Sequence, residues 1–224
     1  PRDAFLITAW KARHVDSDVS EACRILTLMH QRYPLDEEGR NLLAAALRDL
    51  GRFQDARRIL TASPFRTREY LSQARRNLLF LAYMNDQTSE FRKYARQIRE
   101  MGDPFADHLQ FFWNLRHGEK TEALQALEAW NGTPEEKKNR KALLLLTQDD
   151  PLGAWAALDL PLGTPNPLPE KVFLGALILM ARGETEQAVS LLDAIPHDSA
   201  TGFTGYTRKL IKARCLEILG KREE

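Results

Sequence analysis

The stretch LGRFQDARRIL, residues 50–60, places a glycine inside otherwise helical text and an alanine five residues after it. Before Gly51, NLLAAALRDL (41–50) carries Leu42, Leu43, Ala46, Leu47 and Leu50 at the three-and-four spacing of a helix with one apolar face. After it, Phe53, Ala56, Ile59 and Leu60 repeat that spacing. A residue without a β-carbon takes the left-handed conformation of a helix C-cap without a steric penalty, so Gly51 ends the first helix and the chain turns back. Ala56, one turn into the second helix, lets the two backbones approach closely, as ridge-into-groove packing requires. The stretch reads as a helical hairpin.

The hairpin recurs. Gly118 precedes Ala123 by five residues in HGEKTEALQAL, and Gly183 precedes Ala188 by five in RGETEQAVSLL. Upstream, Ala22 stands 34 residues before Ala56; downstream, Ala157 stands 34 after Ala123, and Phe91 fills the intervening place at a spacing of 35. Ala188 comes 31 after Ala157, so the register drifts there, and Gly220 offers one more turn glycine. The expected helices are 3–14, 17–33, 37–50, 53–62, 67–84, 88–101, 105–117, 119–130, 134–147, 151–159, 169–182, 185–194 and 203–219, with no competing strand signal. LPLGTPNPLPE (160–170), with four prolines, reads as a loop, with 160–169 as a candidate hinge. Ser199 or Thr201 is a candidate cap for the last helix.

Composition bounds the rest. At 224 residues with 43% hydrophobic, the chain can bury a continuous core. Its 32 Lys plus Arg nearly balance 31 Asp plus Glu, which argues against a general polyanion binder. Cys23 and Cys215 have no ligand or redox spacing and read as two free, buried thiols, consistent with a cytoplasmic location. No apolar run reaches the roughly 18–20 residues of a membrane span. The start at Pro1 and the end in LGKREE read as a piece of a longer protein, so any membrane tether would lie outside this chain. His14, His30, His108, His117 and His197 never pair at metal-ligand spacing; no metal, cofactor or catalytic residue is expected. Asp149 and Asp150, before Pro151, read as helix-capping carboxylates rather than an acid pair.

A 34-residue helix-turn-helix unit resembles the tetratricopeptide repeat, on Leu43, Leu47, Leu50, Gly51, Phe53 and Ala56 in the best unit and Pro34 after a second helix. The resemblance covers 1–224 as one domain and implies an all-α fold: a right-handed superhelical α-solenoid of about six to seven such repeats. It also implies a concave groove lined by the first helix of each repeat. Carrying over the groove positions gives Lys11, His14, Asn41, Arg48, Arg76, Phe80, Tyr83, His108 and Phe112, with Arg116 beside the last. Such a groove is basic and aromatic and suits a protein partner presenting a peptide or helix with acidic or aromatic side chains. A two-carboxylate clamp is echoed by Arg40–Asn41 and Arg76–Asn77, but a third first helix lacks the paired basic residues it needs. Residues 48–99 carry twelve Lys or Arg against five Asp or Glu. That basic surface makes RNA or another polyanion the alternative partner, disfavoured by the near-neutral total charge. RKLIKARCLEILG (208–220) is amphipathic and offers a homodimer contact. The expected function is a non-catalytic interaction scaffold within a larger bacterial assembly.

Overall fold

A computed structural model describes residues 2–161, 168–195 and 202–220, the last segment by its backbone alone up to 207. Among the described residues the chain is thirteen α-helices and no strands. They are α1 (Arg2–His14), α2 (Val19–Arg32), α3 (Glu37–Asp49), α4 (Phe53–Thr61), α5 (Arg68–Met84), α6 (Thr88–Glu100), α7 (Phe105–Arg116), α8 (Lys120–Ala129), α9 (Pro134–Thr147), α10 (Pro151–Leu158), α11 (Pro169–Ala181), α12 (Thr185–Asp193) and α13 (Gly202–Ile218). No helix among the described residues is long and apolar enough to cross a membrane. Residues 162–167 of the candidate hinge, and the candidate caps Ser199 and Thr201, lie outside the described residues.

The repeat is written in the backbone more regularly than in the residue types. A left-handed residue ends each first helix: Ser17, Gly51, Asp86, Gly118, Asp149, Gly183 and Gly220, with φ between 55° and 78°. The intervals are 34, 35, 32, 31, 34 and 37 residues. The residue after the left-handed one donates its N–H five residues back: Arg52 to Leu47 O, Gln87 to Ala82 O, Glu119 to Asn114 O, Asp150 to Leu145 O and Glu184 to Leu179 O, at 2.8–3.1 Å. This is the Schellman closure, which satisfies carbonyls the helix end would otherwise leave open. Three of the seven positions are Ser or Asp, whose short polar side chains tolerate this conformation better than most. A Cβ on Gly51 meets nothing within 4 Å, yet φ is +73°. Gly51→Ala should therefore cost about 1–2 kcal/mol by backbone strain alone; equal urea midpoints for variant and wild type would contradict this.

Five residues after each of the first six left-handed positions lies a fully buried side chain: Ala22, Ala56, Phe91, Ala123, Ala154 and Ala188. Ala154 therefore holds the place expected of Ala157, which is only partly buried. The short repeats are those between 86 and 149, because each of those turns arrives two or three residues early. Nine residues after the same positions come Leu26, Leu60, Ala95, Leu127, Leu158 and Leu192, all buried. In the third hairpin the small and large residues trade places, Phe91 and Ala95 standing where the others have Ala and Leu. The exchange keeps the volume between the helices nearly constant, as a close-packed interior demands.

Asp149 and Asp150 do different work. Asp150 caps α10, its carboxylate accepting from Gly153 N–H at 2.8 Å, while Asp149 is the left-handed residue that closes α9.

The chain divides into two compact units, residues 1–113 and 114–224. In the first, α1 packs on α2, α3 on α4 and α5 on α6, and α2 and α4 also touch the first helix of the following hairpin. Its core runs from Ala9 to Trp113 and includes Met29, Leu47, Leu79, Phe91 and Ile98. In the second, α9 packs on α10 and α11 on α12, with α13 against both α11 and α12, around Leu158, Val172, Ile178, Leu192 and Cys215. Both cysteines are free and buried.

Candidate functional site

Within the first unit α3 packs on α5, and side chains tie α1, α3, α5 and the part of α7 up to Trp113 into a wall. Polar ties join them in sequence. Arg2 of α1 pairs with Asp36 and Glu38 at the start of α3, and Arg13 pairs with Asp49 at its end. Arg48 of α3 donates to Asn77 Oδ1 of α5 at 3.2 Å. Arg76 and Ser72 of α5 both donate to Asp103, at 2.5 and 2.6 Å, and Asp103 in turn accepts from Phe105 N–H at the start of α7. Tyr83 of α5 meets Trp113 of α7 edge to face, ring centroids 6.4 Å apart.

Side chains left on this wall are arginines and rings. The Arg48 guanidinium lies over Phe80 at 4.9 Å, and Phe80 and Tyr83 are 6.1 Å apart. Arg76 lies 5.6 Å from the Phe105 ring; His108 stacks parallel to Phe105 at 6.0 Å and stands 5.4 Å from Phe112. The Nε of Arg76 is committed to Asp103, and its side chain is 46% exposed, so the Nη edge is the half of the fork left for another acid. Beside it opens a shallow pocket of about 530 Å³ lined by Arg68, Glu69, Ser72, Arg76, Met101 and Asp103. Burial pushes the Asp103 carboxyl upward, but hydrogen bonds from Arg76, Ser72 and Phe105 N–H, with the charge of Arg76, outweigh it and hold the group below the usual carboxylate range.

Of the residues expected on the groove, Arg48, Arg76, Phe80, Tyr83, His108 and Phe112 lie together on this wall, partly or largely exposed. Asn41 does not. It is 4% exposed and spends its amide on Tyr70 O at 3.0 Å, tying α3 to α5. Its neighbour Arg40 is likewise interior: 1% exposed, 4.1 Å from the Phe65 ring, donating to Ser63 O, with its guanidinium pushed down by desolvation. The echo of a carboxylate clamp at Arg40–Asn41 is thus a packing arrangement. Arg116 is exposed at the end of α7, in the second unit's range.

Lys11 and His14 are both exposed on α1. The first turn, however, holds one residue more than the others: Asp18 N–H reaches back six residues, to Ala12 O, instead of five. Ala12 therefore corresponds to Leu47, Trp10 to Ala45 and Arg13 to Arg48. Trp10, 61% exposed with its ring 5.4 Å from His14, and Arg13, paired to Asp49, are the wall residues that counting from Ala22 misses. One row across the wall then reads Trp10, Ala45, Phe80, Phe112, with a notch at the alanine. The 35-residue spacing of Arg13 and Arg48 is the sequence signal for that register.

In the second unit the same count falls on Leu143 and Leu146 in α9 and on Leu177 and Met180 in α11, all apolar and not fully buried. The basic and aromatic character belongs to the first unit. Among the described residues no group of three His, Cys, Asp or Glu side chains converges as metal ligands would. Compared with known proteins, the chain matches no family model and no curated sequence.

Proposed function

We propose that the hairpins are tetratricopeptide-like repeats, about six to seven of them, of a right-handed α-solenoid that serves as a non-catalytic protein-interaction scaffold. The wall of α1, α3, α5 and α7 is the docking surface, and its occupant is a peptide or helix carrying acidic and aromatic side chains. One observation carries this reading: Arg13, Arg48 and Arg76, held in place by Asp49 and Asp103, stand on α1, α3 and α5 beside the exposed ring of Trp10 and the half-buried rings of Phe80, Tyr83, His108 and Phe112. Aromatic and Arg side chains pre-positioned in this way supply contact area and directed charge at low entropic cost. Trp10 fits the same reading, since a tryptophan 61% exposed is hard to account for by packing. In the assembly this implies, any membrane tether lies on a segment outside this chain, and a second copy docks, if at all, against α13.

An array of immobilised peptides tests it, with acidic-aromatic, acidic-only and lysine-aromatic sets. Wild type should select the acidic-aromatic set, and Arg76→Glu, on an exposed side chain, should lower retention at least about tenfold while leaving the circular dichroism unchanged. Retention of all three sets alike, or equal retention by the variant, would remove the wall from the function.

A further inference from the structure

The outer face of α6 is a second surface with its own chemistry. The helix turns Phe91, Tyr94, Ala95 and Ile98 inward and leaves Arg92, Lys93, Arg96 and Arg99 exposed. Positions 92, 96 and 99 follow the four-and-three step of one helical face, so three guanidiniums form a stripe about 10 Å long. Of the nearby acids, Asp107 pairs with Arg99 and Glu100 is exposed at the C-terminal end of α6, so only the Arg99 end of the stripe is met by acids. Glu90 is paired with Arg57 of α4, and Asp55 is shared by Arg52 and Arg58. Arg92 and Arg96 form no ion pair among the described residues; Arg99 reaches Asp107 and Gln110, and Lys93 lies over the Tyr94 ring at 5.3 Å. On neighbouring α4, Arg58 is 77% exposed. Together α4 and α6 hold six Lys or Arg against three Asp or Glu. Like charges one turn apart weaken the helix that carries them, so the stripe is a cost to α6 on its own.

We propose that this stripe docks an acidic helix of a partner protein, with Glu or Asp repeating at the same three-and-four spacing. Successive carboxylates on such a helix rise by about 6 and 4.5 Å, which are the steps between Arg92, Arg96 and Arg99. Two other anionic surfaces fit less well. No ring or large apolar side chain is exposed on α6, so unpaired bases have no platform to stack on and a bilayer has no anchor to receive. The proposal does not depend on the aromatic wall, which lies on the first helices.

The test uses the whole chain and three labelled probes: an alanine-based helical peptide of about 20 residues with Glu at the matching positions, its Lys counterpart, and a DNA duplex of similar length. The Glu peptide should bind and the Lys peptide should not. Arg92→Glu with Arg96→Glu should weaken the Glu peptide at least about tenfold and give binding to the Lys peptide, because the interaction is one of charge register. Arg92→Gln with Arg96→Gln, which removes charge without reversing it, should show an intermediate loss. Equal binding of Glu and Lys peptides, binding of neither, or a duplex bound more tightly than the Glu peptide with a steep salt slope, would overturn the proposal.

Discussion

Replacing Phe91 by alanine should lower the unfolding free energy by about 3–5 kcal/mol, the range for truncating a buried aromatic residue. Phe91 is fully buried and stacked on Trp113, with ring centroids 4.1 Å apart and planes 20° from parallel. Every other hairpin has alanine at this position and leucine, not alanine, four residues later. Ala95→Leu alone should cost about 1–3 kcal/mol, since the extra atoms enter space that Phe91 already fills. The pair Phe91→Ala with Ala95→Leu restores the pattern of the other hairpins, so it should be clearly more stable than the two separate losses predict, although the face left on Trp113 keeps it below wild type. Urea denaturation of the four proteins closes the cycle. Additive losses would mean that the two positions do not share one volume.

That exchange also shows where sequence reading stops. Helix limits are legible to within two residues along the chain, because they are set locally by apolar spacing, by prolines at the starts of α9, α10 and α11, and by turn residues. Gly51, Gly118 and Gly183 disclose their turns by composition. Ser17, Asp86 and Asp149 occupy the same backbone state without that signature, and a search keyed to glycine passes over them. Register suffers accordingly. Missing the turn at Asp149 moves the equivalent alanine from 154 to 157, and the additional residue before Asp18 moves the wall on α1 from Trp10 and Arg13 to Lys11 and His14. Burial is the other gap. Arg40 and Asn41 look as available as Arg76, but whether a polar side chain meets the next helix or solvent depends on the neighbouring hairpin. The change from a basic, aromatic wall to apolar positions in the second unit is legible once the left-handed residues set the count.

Asp103→Ala should cost about 2–3 kcal/mol and should also loosen the wall. The carboxylate is 6% exposed and accepts from Arg76, Ser72 and Phe105 N–H, so its loss removes charge-assisted bonds to α5 and the turn that starts α7. The cost stays below that of breaking a fully buried pair because Arg76, nearly half exposed, can be rehydrated. The pH dependence separates the charge from the shape. A carboxyl held below its unfolded value contributes stability that is present above that value, about pH 4, and is lost as pH falls through the folded pKa. Asp103→Asn, which keeps an acceptor for Phe105 N–H but never carries the charge, should be less stable than wild type at neutral pH. The gap should narrow as urea midpoints are followed below about pH 4. A gap that stays constant with pH would assign the whole effect to shape. On the peptide array Asp103→Ala should lose less than Arg76→Glu, since it leaves the guanidinium in place and removes what fixes its Nε; an equal loss would mean that holding the fork matters as much as having it.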